Sequence, residues 1–150
     1  MYNFILVFFI SFASAQQACK LSFYNQSLSE TGEIVFIIKN VESKKIRVPK
    51  QYSDIWARPT DIQVYNDDIK QYQNTKYSFD GANCSKIKEC LGKMIFLKGG
   101  ESKEYKLRII PGRISRAFKD KKKYRFKLAF DTYLFSGCSD YKTDWLYYQN

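Results

Sequence analysis

The sequence predicts an all-β protein, an immunoglobulin-like Greek-key β-sandwich of about eight or nine strands stapled by disulfides. First, short segments in which apolar and polar residues alternate recur along the chain, separated by turn residues. Second, aromatic residues, which suit the pleated surface of a sheet, make up 17% of the chain. Third, the 150 residues include four cysteines, an even number that fits two disulfides in an oxidising compartment.

The N-terminal segment, residues 1–15, is predicted to be a signal peptide. Phe4 to Phe12 is an unbroken apolar run, and Ala13-Ser14-Ala15 supplies the small residues of a cleavage site. The run is about half the ~20 residues that span a bilayer, which excludes a membrane anchor; the alternative is a buried first strand. Residues 16–150 then form a single β-sandwich domain, secreted or periplasmic, with no transmembrane segment. Gln16-Gln17-Ala18 before Cys19 does not fit lipid attachment, so we expect no lipoprotein.

The first three predicted strands differ in pattern. Lys20 to Tyr24 alternates, with Leu21 and Phe23 on one side. Glu33 to Lys39 contains five consecutive apolar residues, which is typical of a central strand covered on both faces. Lys45 to Val48 alternates charged and apolar residues until Pro49, which lacks the backbone donor that a continuing ladder needs.

The middle of the chain is less regular. Lys50 to Pro59 is predicted to be a loop or a single helical turn, from which Tyr52, Ile55 and Trp56 point inward. Asp61 to Tyr65 returns to alternation, and a strand is predicted within Gln71 to Phe79.

The second half carries four clearer strands. Lys93 to Leu97 ends at the Gly99-Gly100 turn, and Lys103 to Ile110 and Tyr124 to Phe130 each show a period of two. In Trp145 to Tyr148, alternation places Trp145 and Tyr147 on one face. We expect this last strand to face the core; the alternative is an aromatic recognition surface.

The cysteines allow three connectivities, and the sequence alone does not choose among them. We prefer Cys84 with Cys90, which closes a local loop, and Cys19 with Cys138, which ties the first strand to the last connection. A zinc site is disfavoured because the chain has no histidine and no C-x-x-C pair.

Two stretches resemble those of a known class of exported domains. Phe36 to Pro49 is similar to a strand, Asn-turn, strand unit, and Leu97-Lys98-Gly99-Gly100-Glu101-Ser102 resembles a Leu-x-Pro-Gly-Glu-Ser turn, with Gly99 at the proline position. The chain thus resembles exported bacterial immunoglobulin-like sandwiches and, more distantly, the BsuPI-type proteinase-inhibitor domain. The resemblance covers about a third of the mature chain; it implies the sandwich fold and transfers no functional residue.

The sequence contains few candidate catalytic residues. Without histidine, the commonest general base and the Ser-His-Asp and Cys-His arrangements are excluded. The nearest carboxylate candidates are Asp67 with Asp68, and Asp140 with Asp144; all are better explained as turn or loop residues. We expect no enzyme, cofactor or metal.

The formal net charge of +10 predicts an anionic or acidic partner. The basic residues concentrate in two clusters, which form one anion-binding patch if the fold brings them together: Lys44, Lys45, Arg47, Lys121, Lys122, Lys123, Arg125 and Lys127. The alternative is a hairpin tip kept soluble by lysines. In the strand, Arg125 and Lys127 share the face opposite Phe126 and Leu128, so this basic stripe is predicted to lie outside the core.

The leading hypothesis is therefore a secreted, non-enzymatic binding protein with a basic face, which recognises a protein or an anionic surface rather than nucleic acid. The alternatives are a secreted proteinase inhibitor or similar enzyme-blocking module, which the size, the disulfides and the resemblance together suggest, and a glycan-binding module, which requires exposed aromatic rings on one sheet.

Overall fold

The computed structural model describes residues 19–77, 90–110 and 116–150. The predicted signal peptide, Phe79 and Cys84 lie outside the described residues. The described elements, in chain order, are β1 (Leu21–Asn25), β2 (Glu33–Asn40), β3 (Ile46–Pro49), a 3₁₀ turn (Asp54–Trp56), β4 (Ala57–Asn66), β5 (Gln71–Asn74), β6 (Met94–Leu97), β7 (Ser102–Arg108), β8 (Lys123–Phe130), helix α1 (Tyr133–Ser136), β9 (Tyr141–Lys142) and β10 (Leu146–Gln149). The predicted all-β class is confirmed.

The strands form antiparallel sheets in a sandwich-like arrangement. One sheet has the order β1-β2-β7, a second has the order β10-β8-β4-β5 with β9 paired to β8, and β3 pairs with β6. Strands far apart in the chain are neighbours, as β2 with β7 and β4 with β8. Such non-consecutive pairs exclude a simple meander and require connections that cross between the sheets.

The core lies between the first two sheets and is built on aromatic rings. Phe36 of β2 and Phe130 of β8 are fully buried, and their rings stack at 4.1 Å between centroids. β2 is central in its sheet, as its apolar run predicts, with Ile34 and Ile38 buried beside Phe36. Tyr105 also enters this core, where its hydroxyl donates to the Pro49 carbonyl at 2.6 Å. Burial raises the pKa of this phenol above its ordinary value.

The structure corrects the prediction for the middle segment. Tyr52 and Trp56 are buried as predicted, but Ile55 is exposed on the 3₁₀ turn. β4 begins at Ala57 rather than at Asp61. Its pairing with β8 shifts register after Thr60, so this part of the strand has no continuous period of two from which its start can be predicted.

The Cys19–Cys138 disulfide is present as predicted, with its cysteines 119 residues apart in the chain. It joins the segment before β1 to the segment after α1. Cys90 is also disulfide-bonded, whereas its predicted partner, Cys84, lies outside the described residues.

A buried asparagine organises the connection from β2 to β3. The Nδ2 of Asn40 donates to the carbonyls of Lys44 and Leu97, at 2.8 and 3.0 Å. Its Oδ1 accepts from the Glu42 backbone N–H at 2.9 Å. The facing turn packs so closely that a Cβ at Gly99 would lie 2.6 Å from the Glu42 carbonyl oxygen. A side chain at position 99 would therefore clash with the backbone of the β2–β3 connection.

We expect Asn40→Ala to lower the free energy of unfolding by about 2–3 kcal/mol, because it leaves buried backbone groups without partners. Asn40→Asp keeps the shape but places an oxygen against the two carbonyls, so it should be at least as destabilising. Chemical denaturation of both variants measures these losses. An Asn40→Asp variant as stable as the parent protein would contradict the hydrogen-bond assignment.

Candidate functional site

The outer face of the five-stranded sheet carries a row of basic side chains. On β8, Tyr124, Phe126 and Leu128 are buried. The intervening Lys123, Arg125 and Lys127 therefore project from the opposite face, as their alternation predicts.

Aromatic side chains surround this basic row. By register, Tyr65 of β4 lies opposite Tyr72 of β5, and Tyr147 of β10 lies opposite Arg125. Trp145 comes immediately before β10. We call this set the aromatic–basic face; it consists of Tyr65, Tyr72, Lys123, Arg125, Lys127, Trp145 and Tyr147.

Arg125 is at the centre of the aromatic–basic face. Its Cζ lies 4.5 Å from the ring centroid of Tyr72 and 4.5 Å from that of Trp145. Its Nε donates to the Gln63 side-chain oxygen at 2.6 Å. Two rings and one hydrogen bond thus hold the guanidinium in place, while its Nη atoms have no hydrogen-bond acceptor among the described residues.

The two lysines make similar ring contacts. The Nζ of Lys127 lies 5.0 Å from the Trp145 ring, and the Nζ of Lys123 lies 5.8 Å from the Tyr65 ring. Each such contact is worth about 0.5–1 kcal/mol at an exposed site, which is enough to bias the direction of a flexible side chain. The rings therefore orient the positive charges.

The charges of the aromatic–basic face are not neutralised within the described part of the chain. All ion pairs between described residues involve Arg58, which pairs with Asp131 and Asp140 and is not part of the aromatic–basic face. Burial, and to a smaller extent the neighbouring phenol of Tyr147, raise the pKa of Tyr72 although Arg125 acts to lower it. Tyr72 is therefore a neutral phenol at neutral pH.

The other predicted basic residues lie elsewhere. Lys121 and Lys122 are exposed in the turn that precedes β8. Lys44 and Lys45 are exposed before β3, and the Cζ of Arg47 lies 5.9 Å from the exposed ring of Phe96 on β6. No hydrogen bond or ring contact between described residues joins this second cluster to the β8 cluster, so the candidate site is confined to the five-stranded sheet.

The expectation that the last strand turns its aromatic residues inward is wrong for Tyr147, which is 60% exposed, whereas Leu146 is buried. Tyr65 and Tyr72 were not identified from the sequence at all. Both lie in paired strands, Tyr72 between Gln71 and Gln73 and Tyr65 between Val64 and Asn66. An aromatic ring at an outward strand position is the signal that identifies them.

The carboxylate candidates Asp67, Asp68 and Asp140 have structural roles. Asp67 and Asp68 form the exposed β4–β5 turn, where the Asp68 N–H donates to the Asn66 side chain at 2.9 Å. The Asp140 carboxylate accepts the backbone N–H groups of Thr132 and Tyr133, both at 3.1 Å.

Asp131 accepts a hydrogen bond from the Nε of Arg58 at 2.8 Å. Burial raises the pKa of this carboxyl, although Arg58 acts in the opposite direction. The arginine therefore compensates a carboxylate whose charged form is costly to bury. Among the described residues, no group of three or more potential metal ligands comes together.

Comparisons of the chain with family models, curated proteins and solved structures gave no match. In the described ranges, every helix falls short of the length and apolar character needed to cross a membrane.

Proposed function

We propose that this protein is an exported, non-enzymatic binding module that takes an anionic macromolecule on its aromatic–basic face. The observation that carries the proposal is the arrangement of Arg125, whose guanidinium is fixed between two rings and has no carboxylate partner among the described residues. A cation that serves only solubility does not need such orientation. The disulfide supports export, because structural disulfides persist in oxidising compartments.

The net charge of +10 supports the same partner class, since it attracts polyanions at long range. Binding through the three β8 cations should weaken steeply with added salt. The proteinase-inhibitor alternative stays a prediction from the resemblance.

Removing the three β8 cations should strongly weaken binding to polyanions. We expect Lys123→Ala/Arg125→Ala/Lys127→Ala to lower affinity at least about 100-fold, because each charge-assisted hydrogen bond is worth about 1.5–3 kcal/mol. The full chain, produced by secretion, is titrated at low and high salt with heparin, a single-stranded oligonucleotide and vesicles containing phosphatidylserine.

The matched control is Lys39→Ala/Lys106→Ala/Arg108→Ala, which removes the same charge from exposed positions on the β1-β2-β7 sheet. We expect it to change affinity only a few-fold. Equal losses in both variants would show that net charge alone binds the ligand, and no binding to any of the three probes at low salt would overturn the proposal.

A further inference from the structure

We infer that the ligand of the aromatic–basic face is an acidic polysaccharide, whose carboxylate or sulfate groups are bound by the Nη atoms of Arg125. The inference rests on the proposed function and names its ligand class. The planar guanidinium can bind an oxyanion in a bidentate manner, through two parallel hydrogen bonds. Because its Nε already donates to Gln63, the Nη edge is the part left for a ligand.

The arrangement of the rings argues against a nucleic acid. Bases bind to single-strand binding surfaces by stacking on open aromatic faces. Here Tyr72 meets Tyr65 at 68° and Tyr147 at 66°, so these three rings do not form a flat platform. Arg125 also contacts the rings of Tyr72 and Trp145, and Lys127 contacts Trp145. The rings of Tyr72 and Trp145 are thus engaged by cations rather than left open for bases.

The composition of the same face argues against a lipid surface. Membrane-binding faces insert apolar side chains below the headgroups. Of the large exposed aliphatic side chains of the described residues, Val41 and Ile55 lie outside the five-stranded sheet, and Ile69 lies in the β4–β5 turn rather than on a strand of the aromatic–basic face. The aromatic–basic face instead borders amides, with the Gln63 Nε2 donating to Asn74 at 2.7 Å, and it exposes the phenol of Tyr147.

Amides, phenols and cations together match a polymer that carries hydroxyl groups and repeated negative charges. Lys123, Arg125 and Lys127 occupy alternate positions of one strand. At about 3.3–3.4 Å per residue, they form a row of roughly 13 Å, which suits an extended polyanion better than a single small anion. A sulfated or uronic-acid polysaccharide has these properties.

The test is the affinity of the full chain for heparin, polygalacturonate and uncharged dextran, measured beside a single-stranded oligonucleotide and phosphatidylserine vesicles at equal ionic strength. We expect heparin or polygalacturonate to bind at least about tenfold more tightly than dextran, the oligonucleotide or the vesicles. A preference for heparin indicates that sulfate or sulfamate groups are bound, and comparable binding of polygalacturonate indicates that carboxylates suffice; both support the inference. Tighter binding of the oligonucleotide or the vesicles overturns the inference but leaves the proposed function intact.

A charge-conserving substitution isolates the role of the guanidinium. Arg125→Lys keeps the positive charge but removes the bidentate hydrogen-bond donor, so we expect the affinity for the preferred polysaccharide to fall about tenfold. Arg108→Lys, on the other sheet, is the control and should change affinity less than twofold. Equal affinities of Arg125→Lys and the parent protein would overturn the assignment of the oxyanion to Arg125.

A footprint on the unsubstituted protein gives a readout that does not depend on a variant folding. Saturating polysaccharide should protect Lys123 and Lys127 from acylation of their amines, while Lys39 and Lys106 on the other sheet should stay reactive. Protection of Lys106 in place of Lys127 would place the ligand on the wrong sheet and overturn the inference.

Discussion

The variant Cys19→Ala/Cys138→Ala is expected to lose about 3–5 kcal/mol of unfolding free energy, a large part of what a domain of this size has. The loss follows from the length of the loop that the disulfide closes. The bond joins residues 119 positions apart, and in the chain-entropy model the stabilisation grows with the size of the closed loop. Chemical denaturation of the oxidised parent protein and of the variant measures it.

The folded state of this variant should remain close to that of the parent protein. β1 has other attachments to the segment that contains Cys138, because Tyr141 donates to the Asn25 side chain at 2.7 Å. The Phe23 ring lies 6.4 Å, between ring centroids, from both Phe135 and Tyr141. The cost therefore falls mainly on the unfolded state. Replacing both cysteines avoids a free thiol, and an unfolding free energy equal to that of the parent protein would contradict the entropic account.

Alternation along a single strand was sufficient to predict the basic half of the candidate site. On β8 the period of two determines that Arg125 and Lys127 share a face, and the buried Phe126 and Leu128 determine which face is outward. In β10 the same period only groups Trp145 with Tyr147, because either face of this short strand can be apolar. The register with β8 determines which face of β10 is buried, since Leu146 lies opposite buried Phe126 and Tyr147 lies opposite Arg125.

The aromatic half depends on contacts between distant parts of the chain. Tyr72 reaches Arg125 because β5 pairs with β4, and β4 pairs with β8 after a register shift between Thr60 and Gln63. No local pattern specifies that shift, for Asp61 has a positive φ of 52° that its residue type only weakly favours. The fold class is therefore predictable from the sequence, and the preferred Cys19–Cys138 pairing is confirmed although the sequence alone does not choose it. The ring contacts that orient Arg125 follow only from strand pairing.

Phe36→Ala is expected to lower the free energy of unfolding by about 3–5 kcal/mol, because it removes a fully buried ring and leaves a cavity between two sheets. The Phe36 ring stacks on Phe130 at 4.1 Å and contacts Tyr52 at 5.1 Å, edge to face. These rings come from different layers, so the substitution weakens the contact that holds the β1-β2-β7 sheet against the sheet bearing the aromatic–basic face.

The matched control is Phe96→Ala, which removes the same ring from a position that is 63% exposed. It should change stability by no more than about 0.5 kcal/mol, since surface substitutions rarely do more. Chemical denaturation compares the two variants directly, and equal losses would show that the ring stack is not what joins the layers. A folded Phe36→Ala protein should still bind its polyanion under stabilising conditions, because the aromatic–basic face is held by contacts on the outer side of its own sheet. Binding lost in the folded variant would instead mean that packing between the layers sets the position of Arg125.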